Sequence, residues 1–357
     1  MKLTYLAVCS SDANPGVLNK INDWIDAAKD LNLDANTIII SPTGGIRPYL
    51  KLNLEIIKSK NKLLFIRNPT HLRIFLFFSI LIARINKCKV IIDVPTPIYV
   101  LIKEILGHKR KKLIKYFTVF ELMVYSSLPF LFSNKIIQYA NEHWWFKIGC
   151  NKRIFLMGNG INLKRINIRN NYPIWPSDRL NLIGVANIAT WHGYDRVIHA
   201  MAKFNANNNF NFKVHFELIG DGPELINLKN TATNLKLDKF VTFHGLMTNS
   251  KFIETIYERA HIAVSSLGLF RIGLETSSVL KSREYVAIGI PFIYAGHDID
   301  FVEECNFRYK VKNSDNIEDL ITLFEHFNTS KFPDPINIRN FAEEKLSIVH
   351  KLKCILN

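Results

Sequence analysis

Glu275 to Ile293 reads ETSSVLKSREYVAIGIPFI. The serine pair Ser277-Ser278 precedes a helix expected over Val279 to Ala287, which carries Lys281, Arg283 and Glu284. Gly289 and Pro291 end it, and the short apolar strand Phe292 to Tyr294 follows. A helix start presents N–H groups with no intrahelical partner and the positive end of the helix dipole, which makes it a natural phosphate site. A carboxylate one and a half turns in, on the same side, is placed to accept hydrogen bonds from a ribose diol. Phosphate at one end and sugar at the other would hold a nucleotide-sugar. An ordinary surface helix between two strands would read the same way, so the rest of the chain has to decide.

Working outward, strands and helices alternate throughout. In the N-terminal half, Leu3 to Cys9, Thr37 to Ile40, Leu63 to Ile66 and Val90 to Ile92 are apolar strand-like runs. Val17, Ile21, Trp24, Ile25 and Ala28 recur at a helical period between the first two of them. The pattern restarts after Met157-Gly158-Asn159-Gly160-Ile161, and the polar, proline-bearing stretch Ile166 to Asp178 reads as a linker. Strands at Leu182 to Ala186, Val214 to Ile219, Phe240 to Phe243 and Ile262 to Ser265 then lead to the opening helix. Continuous apolar strands alternating with helices imply parallel sheets covered on both faces. Such sheets bind ligands at the carboxyl ends of their strands. The expected division is residues 1–170, residues 171–335 and a last helix within 336–357, and the sequence leaves open whether that helix returns to the first domain. A chain of 357 residues suits two domains of about 150 to 180 residues.

Composition narrows the class. Apolar residues make up 48% and charged residues 22%, a globular balance. The five cysteines lie far apart, with no CxxC and no His–Cys cluster, which argues for a reducing compartment and against structural zinc or a disulfide framework. The apolar run after Lys2 lacks a small-residue cleavage site and reads as a first buried strand, not a signal peptide.

The net charge of +15 points to a polyanionic partner. No helix-turn-helix, finger or stacking-platform pattern appears, so no nucleic acid is expected. Ile74 to Ile82 is uncharged between Arg73 and Arg84, and His108-Lys109-Arg110-Lys111-Lys112 with Lys115 precedes the apolar stretch Phe117 to Phe132. Neither run reaches the roughly 20 residues needed to span a bilayer. Basic clusters beside apolar helices fit a protein lying on an anionic, cytoplasmic membrane face, or solvated rims of core helices.

The order of several short motifs resembles a known family. Asn159-Gly160-Ile161, Trp191-His192-Gly193-Tyr194-Asp195-Arg196, Gly220-Asp221-Gly222-Pro223-Glu224, Phe243-His244-Gly245 and Lys281 to Pro291 resemble, in this order, the group 1 (family 4) glycosyltransferases. The N-terminal half is similar to their bacterial surface-polysaccharide branch. Pro15-Gly16-Val17 sits where a glycine-rich loop is placed, and Phe65 to Pro69 and Ile92 to Pro97 echo strand-end motifs.

The resemblance implies the GT-B type of α/β fold, two facing Rossmann-like domains with a cleft between them. It implies a retaining glycosyltransferase that moves a sugar from a nucleotide-sugar donor to a lipid-linked saccharide acceptor in surface polysaccharide assembly, peripheral on the inner membrane face. The nucleotide-sugar is a co-substrate, and neither a cofactor nor a metal is expected. Carried over by position, Glu284 takes the ribose hydroxyls, Ser278 with the N–H groups of Val279 and Leu280 holds the diphosphate, and Gly16 approaches from the other domain. Lys281 is a candidate cation at the phosphates, His244 and Gly245 pass near the base, and Asp93 and Thr96 are candidates for orienting the acceptor.

Two positions depart from the family. The carboxylate usual eight residues before Glu284 is replaced by Thr276, with Glu275 displaced by one, so either residue is a candidate for the donor sugar. The loop Ala186 to Gly193 has His192 where a lysine is usual and lacks the arginine, so His192 is a candidate to carry charge if a bound diphosphate raises its pKa, with Arg196 or Lys281 compensating. A sugar-nucleotide epimerase of the same fold and a non-catalytic membrane scaffold are the rival readings.

Overall fold

The computed structural model describes residues 2–10, 15–107, 112–175, 177–207, 209–247, 250–302, 304–329 and 331–357. It divides into two compact units, residues 1–158 with 348–357, and residues 159–347.

The first unit carries β1 (Lys2–Val8), α1 (Pro15–Asp30), β2 (Ala35–Ile40), α2 (Arg47–Lys58), β3 (Lys62–Arg67), α3 (Arg73–Ile85), β4 (Lys89–Val94), α4 (Ile98–Gly107), α5 (Lys112–Val124), β5 (Lys135–Gln138) and β6 (Ile154–Leu156). Its strands form one sheet in the order β2-β1-β3-β4-β5-β6, every pair parallel. Both faces are covered, which is why the strands are continuous apolar runs instead of alternating ones. One face packs Leu52, Ile56, Leu76 and Ile80 from α2 and α3. The other packs Ile21, Trp24 and Ala28 of α1.

The second unit carries β7 (Arg179–Val185), α6 (Tyr194–Ala206), β8 (Lys213–Ile219), α7 (Leu225–Asn234), β9 (Val241–Gly245), α8 (Ser250–Arg259), β10 (Ile262–Val264), α9 (Leu280–Ile288), β11 (Phe292–Ala295), β12 (Arg308–Val311), α10 (Glu318–Phe327) and α11 (Pro335–Phe341). A π-helical turn, Ala342–Leu346, follows α11, and α12 (Ile348–Leu356) belongs to the first unit. The second sheet is also parallel, in the order β12-β11-β10-β7-β8-β9. Numbered within the unit this is the doubly wound order 3-2-1-4-5-6, and the order of strand addition reverses between β7 and β10.

Three expectations need correction. The stretch Ile166 to Asp178 is not a free linker, because the units divide at Gly158 and Asn159 and the stretch is built into the second unit. The Arg169 N–H donates to the Ile288 carbonyl at 3.0 Å, and the Arg339 guanidinium donates to the carbonyls of Ile166 and Leu163. The apolar stretch Phe117 to Phe132 is not one helix. α5 stops at Val124, and Leu128–Phe130 is a 3-10 turn around Pro129. The last helix is broken, because Ser347 is extended and separates the π turn from α12.

Candidate active site

A doubly wound sheet opens a crevice where neighbouring strands lead to helices on opposite faces. In the second unit that point lies between β7 and β10, whose pairing is confined to Ile262–Leu182 and Ala263–Ile183. Just beyond it the Tyr285 hydroxyl bridges the strand ends. It accepts from the Val185 N–H at 3.2 Å and donates to the Val264 carbonyl at 3.3 Å. The loops leaving this point run through residues 186–193 and 265–279, and α9 starts at the end of the second.

Close backbone packing shapes the loop after β7. The Ile188 N–H donates to the Asp221 carbonyl at 2.6 Å. Gly220 holds a φ of +128°, and a Cβ there would lie 1.8 Å from the Ala186 carbonyl oxygen. On the other side Leu267 and Gly268 donate to the carbonyls of His192 and Trp191. The motif glycines of these loops are therefore places where backbone meets backbone.

His192 is buried, and its Nδ1 accepts from the Ala189 N–H at 3.0 Å. Its ring stacks on Tyr194, with centroids 5.5 Å apart. Burial, with the Lys281 charge beside it, pushes His192 down to about 3. In the free protein the ring is thus a neutral acceptor that closes its own loop. Arg196 is no compensator either, since it is buried and donates to the carbonyls of Leu267 and Asn316.

The cation here is Lys281. Its buried Nζ lies 3.1 Å from the Tyr194 hydroxyl, and burial pushes the ammonium down to about 7 against the pull of Glu284. Glu284 sits one turn further along α9, its carboxyl held above the usual carboxylate range by burial and drawn back by Lys281. It lines a cavity of about 550 Å³ together with Arg165, Arg169, Tyr257, Glu258 and Ile288.

The start of α9 is fixed from two directions. The Asn159 N–H donates to Ser278 Oγ and its amide donates to the Ser278 carbonyl, both at 2.6 Å. Ser278 therefore spends an acceptor site on Asn159 and keeps its own hydroxyl proton. Arg283 is fully buried and pairs with Asp298 and with Asp300, the latter at 2.7 Å. Val279 is the extended N-cap residue and Leu280 the first helical one. Thr276 is half-buried in an isolated bridge to His297, while Glu275 is exposed and gives its carbonyl to the His297 N–H.

His244 and Gly245 close β9. The His244 ring is committed to Glu217 at 2.8 Å, and Arg259 holds the same carboxylate. The Gly245 carbonyl accepts from the Gly220 N–H at 2.8 Å.

In the first unit the strand order places the equivalent reversal between β1 and β3. A cavity of about 200 Å³ opens there, lined by Val8, Tyr49, Arg67, Asn68, Thr96 and Leu101 among others. Asp93 lies beneath it. Its carboxylate is buried, accepts from the Tyr5 hydroxyl and sits 3.8 Å from Arg67. The carboxylate is itself buried and does not line the cavity, whereas Thr96 and Arg67 do. Gly16 lies in the exposed first turn of α1, and most of the loop before it is outside the described residues. Among the described residues no group of three or more His, Cys, Asp or Glu could hold a metal ion.

Tyr194, Tyr285, Asn159 and the Arg283 carboxylate pair were not legible as site residues. Tyr194, Tyr285, Asn159 and Arg283 all stand inside the quoted motifs, but only the fold aims them.

Residues 168–294 match the family described as glycosyl transferases group 1. The match lies wholly within the second unit. Over its whole length the fold is that of GT-B enzymes. It matches the apo form of the lipopolysaccharide outer core galactosyltransferase WaaB at a TM-score of 0.68 and 10% identity, covering 100% of this chain and 98% of that one. A glycosyltransferase from Rickettsia africae matches at 0.64 and 15% identity, covering 99% and 97%. Sucrose-phosphate synthase from Thermosynechococcus elongatus matches at 0.63 and 11%, covering 100% and 98%. At such identities the likeness is one of fold. No curated protein matches the chain in sequence.

Proposed function

We propose that the chain is a retaining glycosyltransferase that takes a sugar from a nucleotide-sugar and adds it to a lipid-linked saccharide at the cytoplasmic face of a membrane, in surface polysaccharide assembly. The observation that carries the donor half is Lys281: a buried ammonium at the start of α9, at the strand reversal, with Glu284 one turn behind it. A diphosphate supplies counter-charge beyond the attraction of Glu284, which does not offset the burial of this ammonium. The cavity beside Glu284 has the volume of ordinary small-molecule sites and suits the nucleoside, with the carboxylate on the ribose diol.

In the reaction the bond from the anomeric carbon to the donor phosphate oxygen breaks, a bond to the acceptor oxygen forms, and the proton of the acceptor hydroxyl passes to the departing diphosphate. Charge develops on the departing diphosphate. Preorganised donors aimed at such charge are usually the largest catalytic contribution. Lys281, the N–H groups at the start of α9 and the free hydroxyl proton of Ser278 are those donors. His192 shapes the loop and contributes no charge. Thr276 or Glu275 faces the donor sugar, and the cavity carrying Thr96 and Arg67 receives the acceptor. The outer-core galactosyltransferase among the fold neighbours acts on lipopolysaccharide, which supports a saccharide acceptor built on lipid.

The test is transfer from a panel of nucleotide-sugars to lipid-linked saccharides by wild type and Glu284→Ala. Transfer by wild type and its loss in the variant is the expected result. Undiminished transfer by the variant would remove the donor assignment. Interconversion of donor sugars with no transfer would make the chain an epimerase.

A further inference from the structure

α5 is built inside out for a helix in water. Glu121 is 4% exposed and sits 3.6 Å from His71, while Phe117 and Phe120 are 59% and 53% exposed. The outward residues Leu113, Tyr116, Phe117, Phe120, Met123 and Val124 recur at the helical spacing of a single face. The inward ones, Thr118 and Leu122, are already buried in the first unit. Folding in water selects the opposite arrangement, and a contiguous apolar face of this kind marks an interaction surface.

The face continues past the end of α5. Trp145 Nε1 donates to the Met123 carbonyl at 2.9 Å, and Trp144 packs on Trp145 with centroids 5.7 Å apart. Both indoles are exposed, as is Ile148. α3 is tied to the same region, because Arg73 donates to the carbonyls of Tyr125 and Ser126. Its own outward residues are Phe75, Phe78, Ile82 and Ile85.

Charge chooses the occupant. In the sequence His108-Lys109-Arg110-Lys111-Lys112 runs directly into α5, and Lys147, Lys152 and Arg153 follow the indoles. Residues 108–111 lie outside the described residues, so their contribution is counted from sequence alone. A basic run beside an exposed apolar face with Trp and Tyr is the signature of a helix lying in an anionic lipid interface. Among the described residues no helix is long and apolar enough to cross a bilayer.

We propose that the outward face of α5, with Trp144 and Trp145, is the surface by which the protein inserts into an anionic bilayer. The inference rests on the reading of a lipid-linked acceptor and names the face that meets the lipid. α5 then lies in the plane of the membrane, with Phe117 and Phe120 among the acyl chains and the indoles at headgroup depth.

The experiment floats the full chain with vesicles of phosphatidylcholine alone or with 30% phosphatidylglycerol (on the order of the anionic content that gives a strong surface potential), at low and high salt. Wild type is expected on the anionic vesicles, with binding reduced but not abolished by salt. Phe117→Ser/Phe120→Ser is expected to lose at least tenfold in vesicle binding while a nucleotide-sugar raises its melting temperature as much as for wild type. Brominated lipids should quench wild-type tryptophan emission and quench Trp144→Phe/Trp145→Phe much less. Equal flotation of wild type and the phenylalanine variant overturns the proposal. So does a wild-type dimer that becomes monomeric in that variant with no lipid binding by either, since the face would then pair two copies. Lost flotation with intact donor stabilisation leaves the transferase reading standing, and absent donor stabilisation in both proteins strikes that reading alone.

Discussion

Lys281 Nζ lies 3.1 Å from the Tyr194 hydroxyl, and the same tyrosine ring stacks on His192. One aromatic ring thus sets the positions of both groups that the sequence offered as phosphate-binding cations, and only the lysine is placed to bear charge. Burial holds its ammonium near 7 in the free protein. A diphosphate beside it favours the protonated form, so donor binding takes up a proton above that pH. Donor affinity should fall by up to tenfold per pH unit as pH rises from about 7 to 9. Lys281→Met should bind more weakly and with a flat profile. Calorimetric titration across this range checks both, and a flat wild-type profile would exclude the role.

The same lysine shapes stability. Its folded value, about 7, lies below the ordinary value of roughly 10.4. Between those limits the unfolded chain binds more protons than the folded one, so stability of the free protein should rise with pH across that window. Lys20, which burial holds at about 8, acts in the same direction. Urea midpoints at pH 7 and 9 should therefore differ less for Lys281→Met than for wild type, without becoming equal. An unchanged difference would sink the assignment.

His192 should remain neutral in the free protein down to about pH 4, because burial and the neighbouring lysine hold it at about 3. Its imidazole resonances should not titrate between pH 5 and 8. His192→Phe removes the acceptor for the Ala189 N–H and should cost about 1–3 kcal/mol, the range for an orphaned buried donor. A midpoint above 6 for the free protein would overturn its neutral assignment.

Asp93 holds Tyr5 and Arg67 from a buried position. Asp93→Ala leaves the arginine without its partner and should cost roughly 3 kcal/mol, near the range for breaking a buried ion pair. Donor affinity should be unchanged, since these groups belong to the first unit. Thermal unfolding and donor titration of the variant decide. A stable variant that lost only acceptor turnover would instead give Asp93 a direct role.

Gly220→Ala brings a methyl group to 1.8 Å from the Ala186 carbonyl in a backbone conformation that L side chains rarely adopt. The loops after β7 and β8 must separate to admit it. A loss of several kcal/mol, or failure to fold, is expected, whereas Gly245→Ala meets no atom within 4 Å and bears only its left-handed φ of +67°. Equal melting temperatures for the two variants would contradict the packing.

The parallel sheets were legible because buried strands such as β3 and β4 carry the unbroken apolar runs Leu63–Ile66 and Val90–Ile92, bounded by loops. β6 and β12 were not, since Ile154–Leu156 is three residues long and Arg308–Val311 is half-polar. The candidate donor residues Lys281 and Glu284 could be placed on one helix by spacing alone. The state of His192 could not, because its burial depends on the loop at Leu267 and Gly268, many residues downstream. The burial of Asp93 was not legible for a related reason: a carboxylate at a strand end looks exposed until the fold is seen to cover it. The inverted face of α5 was hidden by the same blindness, since an apolar run does not say which of its residues look outward.

α12 fills the layer of the first unit that holds Trp24, with Ile348, Leu352 and Ile355 in one cluster with Leu3, Tyr5 and Ile21. A ribosome making this chain delivers those three side chains only after the whole second unit has emerged. The first sheet must therefore wait, part of its apolar layer uncovered, while the domain made later has every residue it needs to fold first.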